Sequence, residues 1–137
     1  MHVASNICYE AQGGKYGEFR INRQCSLVGI RLRHLSGRFS TSPTVHRRWG
    51  NSNGWKFLTV IANSTGGLLF PDTINTAGSY LLDGFRTNDP LIYFNRLQPM
   101  SVRKDDVMRV WWGRDFMNAN NIWYGTHCVD IDVACII

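Results

Sequence analysis

Apolar positions along this chain recur mostly with a period of two. In Leu27 to His34, Val28, Ile30, Leu32 and His34 fall on one face, and Gly29, Arg31 and Arg33 on the other. Val107 to Trp112 divides the same way, with Met108, Val110 and Trp112 against Val107, Arg109 and Trp111. The last segment separates Val129, Ile131, Val133, Cys135 and Ile137 from Cys128, Asp130, Asp132 and Ala134. Such alternation describes strands with one face on a core and the other toward solvent. Tyr16 to Ile21, Lys56 to Ala62, Leu68 to Phe70, Ser79 to Leu82 and Pro90 to Phe94 read as further strands. Turn signals stand between them at Ser36-Gly37, Asn63 to Gly67, Asp83-Gly84 and Arg103 to Asp106. Residues 1–14 end in Gln12-Gly13-Gly14 and read as an arm or lead-in turn. No apolar run has a helical period. About eight to ten short strands predict an all-β fold, an antiparallel β-sandwich or jelly roll, with residues 1–137 forming one domain.

Composition sharpens this picture. A chain of 137 residues that is 44% hydrophobic and 18% charged can bury a core and is not a disordered polyelectrolyte. No run approaches the ~18 apolar residues of a membrane-spanning helix. The opening MHVASNICYE lacks the apolar heart of a signal peptide, so a secreted chain would be represented here in its mature form. The net charge of +5 comes from twelve Arg and three Lys against ten acidic residues. Arginine suits carboxylate, sulfate and phosphate groups, so a polyanion partner, heparin-like or nucleic acid, is one reading. The arginines are scattered singly apart from Arg47-Arg48 and the alternating Arg31 and Arg33, which favours a solvated sheet face and makes nucleic acid the less favoured partner.

Cys8, Cys25, Cys128 and Cys135 contain no Cys-x-x-Cys pair, so they read as two disulfides rather than a zinc site. Three connectivities are open, and Cys8–Cys135 with Cys25–Cys128 is the expected one. Disulfides imply an extracellular setting. Asn63-Ser64-Thr65 is an N-glycosylation acceptor triplet, in keeping with that setting.

Catalytic signatures are lacking. Glu occurs only at Glu10 and Glu18, in the lead-in, leaving Asp89 and Asp115 as the nearest thing to a glycosidase pair. His127 and Cys128 are neighbours on a strand and point to opposite faces, which disfavours a nucleophile and base. No cofactor is implied, and no metal site is assigned. Asp105-Asp106 and Asp130-x-Asp132 supply hard oxygen ligands of the kind calcium takes, but neither matches a dedicated loop.

Sugar binding needs an aromatic ring for the apolar face of a pyranose and planar polar groups for its hydroxyls. Three loops carry that mixture. One holds Arg47, Trp49, Asn51 and Asn53, and another Arg86, Asn88 and Asp89. The third holds Arg114, Asp115, Asn121, Trp123, Tyr124 and His127. Trp49 or Trp123 is expected to stack on a sugar, and Asn88, Asp89, Arg114, Asp115 and Asn121 to bond hydroxyls. A competing reading makes Trp49 and Trp55 plugs at the end of the core.

Arg109-Val110-Trp111-Trp112-Gly113-Arg114-Asp115, a polar insert, and Gly125-Thr126-His127-Cys128-Val129-Asp130-Ile131 resemble the closing motif of a secreted domain of corals and their relatives. Leu82 to Phe85, Leu91 to Phe94 and Gln98 to Val102 resemble its upstream segments, and Ile30 to Ser36 and the His46 to Trp55 loop fit in order, so the likeness covers roughly residues 25–132. That group is similar to soft-coral lectins with a discoidin-like β-sandwich. The resemblance implies galactose-type glycans or glycoproteins as partners and a homo-oligomer. Three positions depart from the pattern: Trp112 stands for Tyr, Arg114 for an acidic residue, and Ile122-Trp123-Tyr124 for an acidic or small polar run. A secreted lectin without catalysis is the expectation. An extracellular matrix or adhesion domain, or an arginine-mediated polyanion binder, is the alternative.

Overall fold

The computed structural model describes residues 1–51 and 53–136. The expected alternation is realised where it was clearest. Strand β10 (Val107–Trp112) buries Met108, Val110 and Trp112 and leaves Val107, Arg109 and Trp111 half-buried. It lies between β2 (Gly17–Arg20) and β6 (Thr59–Asn63), and β7 (Leu68–Phe70) completes this antiparallel sheet beyond β6. Strand β11 (Tyr124–Ile136) turns Val129, Ile131 and Val133 inward and lies between β1 (His2–Glu10) and β3 (Cys25–Ser42). The far edge of β3 is shared by two partners. β9 (Leu91–Val102) pairs with its first half, from Cys25↔Val102 to Arg33↔Leu91, and β4 (Val45–Arg47) with its second, through Phe39↔Arg47. A two-stranded ribbon, β5 (Lys56–Phe57) with β8 (Tyr80–Leu81), and one helical turn, α1 (Gly113–Phe116), complete the elements of the described residues.

The two larger sheets enclose one hydrophobic cluster. Ile30, Leu32, Phe94, Ile131 and Val133 pack in it with Ile61, Phe70, Met108, Val110 and Trp112. Each aliphatic side chain so buried contributes about 1.5–3 kcal/mol. The architecture is an antiparallel β-sandwich.

Three expectations need correction. Residues 1–14 are not a loose arm, because His2–Glu10 pairs antiparallel with β11 from His2↔Asp132 to Glu10↔Thr126. Glu10 and Glu18 accordingly sit in strands, where they face Lys15 and Arg109. Ser36-Gly37 does not turn the chain. β3 runs through it to Ser42, and Gly37 at φ 81° lies beside Thr126, whose carbonyl oxygen would be 2.1 Å from a Cβ at this position. Glycine is required there by a close approach inside a sheet. Finally, the disulfides join Cys8 to Cys128 and Cys25 to Cys135, not Cys8 to Cys135 and Cys25 to Cys128. Register explains this. Cys8 and Cys128 are direct cross-strand partners, and Cys135 lies opposite Leu27, beside the start of β3.

Strand directions gather the connections at two ends. β10 finishes at Trp112 opposite Thr59, where β6 begins, and β11 begins at Tyr124 opposite Ser40, near the end of β3. Loops 48–55, 82–90 and 113–123 therefore share one end. At the other, the Met1 amino group donates to the Val133 carbonyl at 3.0 Å, and Ile136 lies opposite Ser26.

Candidate functional site

The loop end contains two packed regions built on tryptophan. In the first, Trp49 follows β4 and is drawn into the core at 0% exposure. Its backbone N–H donates to the Thr87 carbonyl and its indole N–H to the Asp89 carbonyl at 2.7 Å. Its ring stands edge-on to His127 at 4.7 Å. In the second, Trp123 is 3% exposed and packs edge-on against Trp112 at 5.3 Å. Gln12 donates to the carbonyls of Asn121 and Trp123, and the Asn121 amide donates to the Ala11 carbonyl. The stacking role expected of Trp49 or Trp123 is therefore corrected: neither presents a ring face to solvent.

His127 is also fully buried, and it belongs to a chain of polar groups running through the core. Tyr80 O–H donates to the Thr59 carbonyl, and the Thr59 hydroxyl meets the Tyr9 hydroxyl at 2.7 Å. Tyr9 meets His127 Nδ1 at 3.0 Å, and His127 Nε2 meets His34 Nδ1 at 2.9 Å. Burial first, then His34 and Arg48, push the His127 pKa down to about 3. Burial and Arg48 lower His34 as well. Burial raises the Tyr9 and Tyr80 hydroxyls above the usual phenol range. Every member is thus neutral at pH 7 and satisfied by its neighbour, which is the condition for tolerating buried polar atoms. His127 leaves the sugar-contact set for this role.

Several other expected contacts are engaged in shaping the loops. Asn53 Oδ1 accepts from the Trp55 and Lys56 N–H groups, and Asp89 Oδ2 from that of Arg86. Asn51 closes its turn by donating its N–H to the Lys56 carbonyl at 2.7 Å. Asp115 Oδ2 accepts from the Gly14 N–H at 2.8 Å, and burial raises its pKa despite that bond. Arg114 donates to the Asn120 carbonyl at 2.9 Å. Asp89 and Asp115 thus each hold a backbone N–H on separate loops. Tyr124 is 49% exposed at the start of β11.

Three of the four aspartates considered for calcium are similarly engaged. Asp130 accepts from the Asn6 N–H, Asp106 from that of Arg103, and Asp132 pairs with Arg31 and His2. Partial burial works against the Asp132 carboxylate, but Arg31 and His2 outweigh it and hold its pKa below the usual carboxylate range. Among the described residues no three His, Cys, Asp or Glu converge as a metal site would require.

Two concavities at this end hold residues assigned from the sequence. The first, of about 330 Å³, is lined by Trp55, Leu81, Leu82, Asp83, Gly84, Phe85 and Arg86. Trp55 is 53% exposed, and the Arg86 guanidinium lies 4.2 Å from its ring centroid. An indole with a guanidinium over its ring and an aspartate in the same lining is the combination sought in the sequence. Of the assigned residues, only Arg86 contributes to it. Trp55 escaped because loop composition does not tell an inward tryptophan from an outward one. The second concavity, of about 300 Å³, is lined by His34, Gly37, Arg38, His46, Arg47, Arg48 and Asn88. It brings together the assigned Arg47 and Asn88 with four polar side chains outside the assigned set, His34, Arg38, His46 and Arg48.

No protein-family model matches the chain, and no curated protein matches it in sequence. Among solved structures, AJLec from the sea anemone Anthopleura japonica matches with a TM-score of 0.87 at 19% identity, covering 98% of this chain and 95% of that one. At that identity the likeness is one of fold, and the fold is that of a cnidarian lectin.

Proposed function

We propose that the protein is a secreted lectin that binds galactose-type glycans at its loop end, without catalysis and as a homo-oligomer. The observation carrying this reading is the hollow at Trp55. A half-exposed indole offers an apolar face, and Asp83 and Arg86 beside it offer an acceptor and a planar donor for adjacent hydroxyls. The fold shared with a sea anemone lectin supports it. Two disulfides suit an oxidising compartment, and no described helix is long and apolar enough to cross a membrane. One shallow hollow binds weakly, and several copies in an oligomer would supply avidity.

A glycan array on the purified protein tests the reading, with Trp55→Ala as its control. Binding to terminal galactosides that Trp55→Ala loses is the expected result. Silence across the array, or equal binding by the variant, overturns it. The burial of Trp49 and Trp123 is what an adhesion domain without a sugar site would also show. The exposed Trp55 and its charged neighbours favour the lectin.

A further inference from the structure

The second concavity differs in kind from the hollow at Trp55. Three guanidinium-bearing residues meet there because β4 doubles back on β3. Arg38 precedes Phe39 on β3, Arg47 lies opposite Phe39 on β4, and Arg48 follows directly. No carboxylate lines the cleft. Arg38, Arg47 and Arg48 bring positive charge to one cleft, so an anion entering it is drawn by all three.

The cleft is also built rather than incidental. Asn88 Oδ1 accepts from the Arg48 N–H at 3.0 Å, and Arg48 Nη1 donates to the Asn88 carbonyl at 3.1 Å. The Asn88 amide and Arg47 Nη1 both donate to the His46 carbonyl, at 3.2 and 2.8 Å. His34, on the cleft wall, is anchored from behind by His127. The loop is therefore ordered before any ligand arrives, which lowers the cost of binding.

We propose that His34, Arg38, His46, Arg47, Arg48 and Asn88 form an oxyanion site that takes the sulfate ester of an acidic glycan. Guanidinium forks match the oxygens of such a group and hold it through paired hydrogen bonds. The sugar follows from position. Arg86 borders the hollow at Trp55 and Asn88 borders the cleft, two residues apart, or about 7 Å of chain. One oligosaccharide can rest a ring on Trp55 and place its charged substituent among the arginines. A single-stranded nucleic acid would offer the same anion and a ring for Trp55, and the fold shared with a sea anemone lectin favours the glycan. The charge selectivity is carried by this cleft, while the sugar rests on the lectin reading.

Titration calorimetry on the intact protein tests the site, using a simple galactoside, its 6-sulfate, inorganic sulfate and a single-stranded oligonucleotide. The sulfated sugar is expected to bind about tenfold more tightly than the neutral one, an advantage that added salt erodes. Arg38→Gln and Arg48→Gln are expected to bring the ratio close to one while neutral-sugar affinity stays unchanged. Arg48→Lys should recover part of it. Arg38 is exposed, so its variant tests the site without a burden on folding. Equal affinity for the sulfated and neutral sugars overturns the proposal, as does an unchanged ratio in both Gln variants. An oligonucleotide that binds more tightly than the sulfated sugar through the same arginines overturns the glycan as occupant. Arginine-dependent binding of sulfate and sulfated sugar, with none of neutral sugar, supports the cleft and sinks the hollow at Trp55.

Discussion

Acidification should destabilise this protein through His127 from near-neutral pH downward. The imidazole is fully buried between Tyr9 and His34, and its pKa falls from 6.5 to about 3. Below about pH 6.5 the unfolded chain takes up a proton that the folded chain refuses, so stability falls with pH and continues to fall until about pH 3. A difference of about 3.5 pH units corresponds to at most about 5 kcal/mol, at about 1.36 kcal/mol per unit. Some 2 kcal/mol of that, to order of magnitude, is lost between about pH 7.5 and pH 5. His34 adds a smaller effect of the same sign. Asp132, held below its ordinary value of 3.8, contributes only below this window. Urea unfolding at about pH 7.5, 6 and 5, with disulfides intact and followed by fluorescence and circular dichroism, measures the loss as a falling midpoint at constant slope. His127→Gln removes the titrating group and keeps a polar side chain of similar reach. It should be less stable at neutral pH yet lose more than half of the pH dependence. A flat wild-type profile, or a variant that retains the full slope, refutes the reasoning.

Other perturbations separate framework from surface. Trp49→Ala should cost about 3–5 kcal/mol in chemical unfolding, whereas Trp55→Ala should cost under about 1 kcal/mol, because only the first opens a cavity in the core. Gly37→Ala should destabilise by more than about 1 kcal/mol in the same assay, through its left-handed backbone and the nearby Thr126 carbonyl. Replacing Cys8 and Cys128 together by Ser should cost about 2–5 kcal/mol, since the crosslink spans 120 residues, and a shift in melting temperature would register it.

The readable parts of the fold were those whose pattern is local. β10 and the end of β11 declare their faces because apolar and polar residues alternate without interruption. β1 does not, since its order comes from partners 116 to 130 residues away, and two register shifts and a left-handed Asn6 break its pattern. The disulfide pairing was hidden for the same reason, because it depends on strand register rather than on spacing along the chain. Gly37 imitates a turn in sequence and serves a close strand contact in space. In the site, the loops were legible but the direction of their side chains was not. His127 is the exception. The alternation that turns Val129 and Ile131 inward also turns His127 inward, and its place in a mixed aromatic and polar loop obscured that signal. The basic cleft was illegible because Arg38 joins Arg47 and Arg48 only once β4 folds onto β3.

β1 runs toward the loop end and β11 away from it, so Met1 and Ile136 lie at the opposite pole. The thirteen residues of β11, at about 3.3 Å each, put roughly 40 Å of strand between the C-terminal end and the loops. A linker, fluorophore or bead attached at either terminus would face away from Trp55 and from the arginine cleft. The chain could then be arrayed on a support or fused to a multimerising partner with every copy displaying the same face outward.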